Sequence, residues 1–254
     1  MAKVISVINN KGGTGKTTSV LNLGAALKKL KYKVLLIDLD SQGNLTHSLH
    51  ITDAKHHIGE LLLNKCSLQD SIVEAEGMSI IPSTSNLLDF EYLINNEPGR
   101  ELLLREVLSN TNTYDFILMD CPPSMGTLSI NSLAAANFYI VPMQAENFAF
   151  IGLDRILQTA QKVKTRMNAE LELAGILFVK YQNRTKFGQA VITSIAENSM
   201  LKNKLFNGYI RQDIALMEAP AFGQSIFEYA PNSRGAFDYM NFAKEFVKNY
   251  GKKN

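Results

Sequence analysis

Val4-Ile5-Ser6-Val7-Ile8-Asn9-Asn10-Lys11-Gly12-Gly13-Thr14-Gly15-Lys16-Thr17-Thr18 is the stretch on which the fold turns. A β-branched apolar run, then glycines, then Lys-Thr opening a helical pattern is the strand–loop–helix context of a phosphate-binding loop. Gly12, Gly13 and Gly15 let the backbone curl so that successive N–H groups, Thr14 and Thr18 included in the segment, can face phosphate oxygens. The helix that follows adds the positive end of its dipole. Lys16 is placed to reach the β- and γ-phosphates, and the Thr17 hydroxyl to ligate magnesium.

One departure from the general pattern G-x-x-x-x-G-K-[ST] carries information. Asn10 stands where the first glycine is expected, and a second lysine, Lys11, follows it. The pattern K-G-G-T-G-K-T-T resembles the deviant P-loop of the ParA/MinD class of ATPases. That resemblance implies that Lys11 crosses to the nucleotide of a partner subunit.

Outward from the loop, Lys16 to Leu30 reads as a helix with Val20, Leu23, Leu27 and Leu30 on one face. Lys33-Val34-Leu35-Leu36-Ile37-Asp38 is a continuous apolar run ending in an acid, as in a parallel strand covered on both sides. Strand, helix, strand is a βαβ unit, which places ligands at the carboxyl ends of the strands. The expected class is therefore α/β, a mostly parallel twisted sheet with helices on both faces. Asp38-Leu39-Asp40-Ser41-Gln42-Gly43-Asn44-Leu45-Thr46 follows β-type sequence with loop residues beside the phosphates, and its carboxylates could orient an attacking water. Tyr114 to Asp120 is a second apolar strand ending in an acid, the Walker B arrangement, with Asp120 toward the metal. Cys121 follows it without an identifiable activating base, which favours a buried small residue over a nucleophile.

Further strands are expected at Gly77–Pro82, Asn137–Pro142 and Ala174–Val179, and a last one ending at Gly208–Asp213. Helices are expected at Asn86–Ile94 and Arg100–Leu108, with a closing helix after Ser233-Arg234-Gly235-Ala236. No repeat, Pro/Ser-rich linker or low-complexity tract divides the chain, so residues 1–254 read as one domain. With 46% hydrophobic and 20% charged residues, it can bury a large core.

Met1-Ala2-Lys3 runs into the first strand with no signal-like segment, and no apolar run is long enough to span a bilayer. The two cysteines, Cys66 and Cys121, have no metal-ligand spacing and predict no disulfide framework. A cytoplasmic protein is the expectation. The histidines His47, His50, His56 and His57 are clustered, but solvated residues are a better reading than a zinc site. Net charge is +2, with the basic excess in the half that follows Leu128, compatible with a polyanionic partner.

Along nearly its whole length the sequence resembles the ParA/Soj-type partition ATPases. Carrying this resemblance are Asp38 to Thr46, Asp120-Cys121-Pro122-Pro123-Ser124-Met125-Gly126, Glu218-Ala219-Pro220 with Gly223, and Ser233 to Ala236. Gln144, Glu146 and Gly152 also match the family's loop and helix start. The resemblance implies a magnesium-dependent ATPase that forms an ATP-dependent homodimer with nucleotide between the subunits. It further implies non-specific DNA binding by the ATP dimer, nucleoid association, no membrane attachment, and release by a ParB-type centromere-binding partner. Under it, Lys16 and the loop hold phosphates and Thr17, Asp38 and Asp120 serve the metal. Lys11 acts across the dimer, Asp40 orients water, and Arg211 and Gln212 lie near the adenine. Lys180, Arg184, Lys186 and Arg211 are the DNA candidates, with Lys202 and Lys204 nearby in sequence. Ser41 departs from the family's proline, and Ile210-Arg211-Gln212-Asp213 departs from its I-P-R-N. A ParA-like positioner of another cargo shares the same core. A Min-type membrane-associated ATPase is the other alternative, but Phe242 to Tyr250 aligns with a core helix.

Overall fold

Among the described residues seven strands form the sheet: β1 (Lys3–Val7), β2 (Val34–Asp38), β3 (Val73–Ala75), β4 (Met78–Ile81), β5 (Phe116–Asp120), β6 (Phe138–Met143) and β7 (Glu172–Phe178). Their order across it is β3-β4-β2-β5-β1-β6-β7, parallel throughout except for the β3–β4 pair at one edge. The computed structural model describes residues 2–109, 111–146, 149–181, 193, 195, 197 and 201–251.

The continuous apolar runs of β2 and β5 are buried at every position because helices cover both faces. The two-residue period of a strand then divides each run between two cores. Val34, Leu36, Phe116 and Leu118 join Ile5 and Val7 on one side, beneath helix α1 (Lys16–Lys29). Leu35, Ile37, Ile117 and Met119 face the other side. That layer is covered by α3 (Ile58–Leu62), α4 (Leu87–Ile94), α5 (Leu103–Leu108), α6 (Thr127–Ala135) and α7 (Ala149–Arg166). The short helix α2 (Asn44–His47) sits in the loop after β2. Toward the C-terminus come α8 (Ala215–Glu218), a 3-10 turn (Ala219–Phe222), α9 (Ile226–Tyr229) and α10 (Arg234–Tyr250). In α10, Ala236, Tyr239, Phe242, Ala243 and Phe246 are buried at helical spacing, and the helix packs against α1. Ser233 caps it, its hydroxyl accepting from the Ala236 N–H at 3.1 Å.

Two expectations differ from the structure, and one strand was not expected. The last strand does not form among the described residues. Isolated bridges mark it instead, Ile176↔Leu205 and Tyr181↔Arg211, with the Phe206 and Ile210 N–H groups donating to the Ile176 and Phe178 carbonyls at 3.1 and 2.8 Å. The amides between and after these are diverted to α10. The Asn207 and Gly208 N–H groups donate to Glu245 at 3.0 and 3.2 Å, and the Arg211 N–H donates to Asp238 at 2.9 Å. The helix expected from Arg100 starts at Leu103, the intervening residues forming turns. The edge strand β3 went unpredicted: it has three residues and turns into β4 through Glu76 and Gly77, both at positive φ (48° and 66°).

Helix α1 approaches the sheet closely at Gly24, where an added Cβ would lie 2.7 Å from Leu36 Cδ2 and 3.4 Å from Met78 Sδ. Leu36 is fully buried and has no room to yield. Replacing Gly24 with Val is expected to lower unfolding free energy by about 1–3 kcal/mol, checked by urea denaturation.

Candidate nucleotide and metal site

Strand register assembles the site. Val7 and Asp38 are both in register with Asp120, so β1, β2 and β5 end at one level and their loops leave side by side. This is the crevice at the carboxyl ends of a parallel sheet. The loop after β1 is shaped by Gly13 and Gly15 at φ 73° and 77°, left-handed geometry that a side chain would strain. Asn9 pins its base, with Nδ2 donating to the Pro142 carbonyl at 2.7 Å and Oδ1 accepting from the Lys11 N–H at 3.0 Å. Thr14 Oγ1 and Lys16 Nζ each donate to the Lys11 carbonyl at 3.2 Å. Gln144 Nε2 and Lys180 Nζ reach in from the loops after β6 and β7, donating to the Gly13 carbonyl at 2.7 and 3.1 Å.

The acids in this crevice are held unequally. Asp38 is fully buried, with Oδ2 accepting from the Thr46 N–H at 2.9 Å and the Thr46 hydroxyl at 2.7 Å. Its Oδ1 accepts from the Asp40 N–H at 3.1 Å. Burial outweighs these bonds and pushes its pKa up to about 6. Asp40 is nearly buried and folds its Oδ1 onto the Gln42 N–H at 3.0 Å. Asp120 is 1% exposed, and neither of its oxygens has a hydrogen bond of ordinary geometry. Burial first, then the Asp38 charge, raise its pKa well above the carboxylate range, opposed by the Thr17 hydroxyl and Lys16. Lys16, 7% exposed, is lowered by desolvation, while Asp120, Cys121 and Asp40 pull it back up.

An orphaned buried carboxylate beside a threonine hydroxyl is a donor set for a hard, oxygen-ligated divalent cation. Thr17 and Asp120 are therefore the residues that would hold magnesium. Asp38, whose oxygens are already engaged by Thr46 and Asp40, is placed behind them.

Lys11 faces elsewhere. Its side chain is 61% exposed and its Nζ pairs with the Glu146 carboxylate, away from the cradle of Lys16. A cleft of about 130 Å³ opens beside Gly15 and Thr18, with apolar Val179, Ile210, Leu216, Met217 and Tyr239 in its walls. Lys180, Arg211, Gln212 and Asp213 form its polar edge. Arg211 grips Asp238 in a two-pronged pair, Nε to Oδ2 at 2.9 Å and Nη2 to Oδ1 at 2.7 Å. Of the DNA candidates, Lys180 and Arg211 thus stand at the nucleotide crevice, and Arg184 and Lys186 lie outside the described residues. Lys204 Nζ donates to the Leu173 carbonyl at 2.9 Å.

Cys121 is enclosed by Ser6 and Ser132, its thiol pushed up to about 11 by burial, so it packs rather than reacts. His56 and His57 lie against Glu60, His47 packs on Gly43, and His50 on Gly223. Among the described residues no group of three His, Cys, Asp or Glu side chains could hold a metal ion, and no helix is long and apolar enough to cross a membrane. Glu146 and Lys180 as neighbours of the loop, Asp238 behind Arg211, and Ser83 near Asp40 are contacts that local sequence did not announce. Their one common signal is position at or just beyond the carboxyl end of a strand, or on the helix facing it.

Residues 2–173 match the family described as an AAA domain. The chain is 38% identical over 256 residues to the chromosome-partitioning ATPase Soj of Treponema pallidum, covering all of both chains. It is 36% identical to the sporulation initiation inhibitor protein Soj of Bacillus subtilis, over 98% of this chain and 100% of that one. Its fold matches a Mycobacterium smegmatis structure, titled cobyrinic acid a,c-diamide synthase with bound ADP and magnesium, at a TM-score of 0.84 and 32% identity. That match covers 100% of this chain and 98% of the other.

Raised carboxylate pKa values mean the folded protein binds protons that the unfolded chain has already released. Without nucleotide or divalent cation, these acids therefore cost stability as pH rises from about 4, near the unfolded carboxylate value, through about 6 and above. In EDTA, Asp120→Asn is expected to be more stable than wild type at pH 8 and to lose that advantage near pH 4, measured by urea unfolding at both values.

Proposed function

The chain belongs to the ParA/Soj family of P-loop ATPases, and from that premise we propose that it is a partition switch driven by ATP. In this reading it binds ATP with magnesium and pairs with a second copy, the nucleotides sandwiched between the two. The ATP-bound dimer holds non-specific DNA, and a ParB-type partner that stimulates hydrolysis releases it.

The observation that carries the reading is the opposite disposition of the two loop lysines. Lys16 is buried among acids at the strand ends, whereas Lys11 is solvent-exposed on the rim. A single nucleotide site explains Lys16. An exposed lysine on the same loop fits a second subunit's phosphates. The adjacent apolar cleft bounded by Ile210, Leu216 and Tyr239 has the character of a base site, with Arg211 and Gln212 at its edge.

Hydrolysis then rests on position and electrostatics, with no covalent step. Lys16 and the glycine loop hold the phosphates, and Lys11 neutralises charge from across the interface. Asp40 orients the attacking water from the loop after β2. Magnesium, held by Thr17 and Asp120 with Asp38 behind, neutralises the phosphate oxygens when bound. Asp38 fixes Thr46 and thereby the loop that carries Asp40.

DNA binding is supported by the basic excess of the C-terminal half and the family relationship. Lys180, Arg184, Lys186 and Arg211 are its candidates, with Arg211 required to leave Asp238 to reach a phosphate.

Three variants separate the parts. Lys16→Ala is expected to lose nucleotide binding, and Lys11→Ala to bind nucleotide yet sediment as a monomer with ATP. Asp40→Ala should retain ATP-dependent dimers while hydrolysis falls about 10²–10⁴-fold. Full hydrolysis by Asp40→Ala would remove it from the water-orienting role. Wild-type binding to random-sequence duplex should require ATP and weaken steeply between about 50 and 200 mM salt; binding independent of ATP would contradict the DNA reading.

A further inference from the structure

The loop that carries Asp40 is held from outside by a residue on a neighbouring strand end. Asp40-Ser41-Gln42-Gly43 closes as a turn, with the Gly43 N–H donating to the Asp40 carbonyl at 2.9 Å. The Gln42 N–H donates to the Asp40 carboxylate at 3.0 Å. Both bonds are internal to the turn. Just beyond β4, which pairs with β2, the Ser83 hydroxyl donates to that same Asp40 carbonyl at 2.7 Å. The Ser83 N–H donates to Thr46 Oγ1 at 2.9 Å, and Thr46 in turn donates to Asp38. Ser83, Thr46, Asp38 and Asp40 are all buried, so these bonds form in a dry setting where water does not compete.

The second position of such a turn is where proline, with its fixed φ, stiffens the backbone. Here it is Ser41, which leaves that torsion free. The turn is thus pliable at the point where its carboxylate must be aimed, and Ser83 reaches it from outside through a side-chain bond.

We propose that Ser83 is a positioning residue for ATP hydrolysis: its hydroxyl clamps the Asp40 carbonyl and supplies the rigidity that residue 41 does not. The proposal rests on the reading of Asp40 as the water-orienting carboxylate. Asp40 acts electrostatically on both Lys16 and Asp120, so its charge is within reach of the phosphate and metal groups. A carboxylate that swings by an ångström while a water must be held in line is a poor orienter. Removing the Ser83 hydroxyl leaves the Asp40 carbonyl bonded to Gly43, so the buried acceptor keeps a partner and the fold is retained. What is lost is the aim of the turn.

The test uses the full chain with ATP and magnesium. Steady-state hydrolysis is measured alongside the affinity for a non-hydrolysable ATP analogue and the unfolding midpoint. Ser83→Ala is expected to lower kcat about five- to tenfold, with KM and analogue affinity unchanged. Ser83→Thr, which keeps the hydroxyl, should retain most of the wild-type kcat. Adding Ser41→Pro to Ser83→Ala should restore most of the loss. Three outcomes overturn the clamp: kcat unchanged in Ser83→Ala, parallel loss of analogue affinity, or no recovery with Ser41→Pro. Asp40→Asn distinguishes the levels of failure. If it is inactive while Ser83→Ala is normal, only the clamp falls. If Asp40→Asn hydrolyses ATP normally, the reading of Asp40 falls and the clamp with it.

Discussion

Asp120 is a carboxylate that the fold buries and leaves without a hydrogen bond of ordinary geometry, and the site is arranged around that cost. A parallel sheet covered on both faces has no wet side, so an acid at the end of a central strand is desolvated by construction. Register then sets Asp38 on the adjacent strand directly opposite, a second charge of the same sign. Thr46 and the Asp40 amide satisfy Asp38, and the buried ammonium of Lys16 offsets part of the remaining field. A divalent cation and a polyphosphate would relieve this imbalance, with Asp120 and Lys16 as the residues that would hold them. Neutralising this buried negative charge is a source of binding energy for such ligands.

The sequence was most legible where one local pattern determines both structure and chemistry. An apolar run that ends in Asp can be a buried parallel strand and deliver a carboxylate to the crevice, so β2, β5, Asp38 and Asp120 were all readable from it. The glycine loop was readable for the same reason, since its glycines answer a backbone demand confirmed by the positive φ of Gly13 and Gly15. Legibility ended where a distant side chain captures the backbone. Gly208 to Asp213 looks like strand sequence, yet Glu245 and Asp238 on α10 take the Asn207, Gly208 and Arg211 amides, so the bond from the Ile210 N–H to Phe178 of β7 is not extended into a ladder. No local periodicity records an acceptor some thirty residues away. Ser83 was hidden in the same way, an ordinary loop residue until strand order brings it beside Asp40. Glu146 and Lys180 stood out only through the family resemblance, and their contacts with the P-loop also depend on strand order.

The contrast between two ion pairs bears on how the site changes state. Arg211 and Asp238 form a two-pronged pair with the acid almost fully buried, so separating them would leave a desolvated carboxylate behind. Lys11 and Glu146 are both substantially exposed, and a pair of that kind contributes only about 0–1 kcal/mol. If Lys11 is to move to a phosphate of a second subunit, leaving Glu146 therefore costs little, and Glu146 stays hydrated after it goes. The Lys11 contact is cheap to exchange, while leaving Asp238 is the larger cost that Arg211 would meet in reaching a DNA phosphate. On electrostatic grounds, then, the rim of the crevice that carries Lys11 is suited to rearrangement. The wall formed by Arg211 and α10 is the costlier one to rearrange.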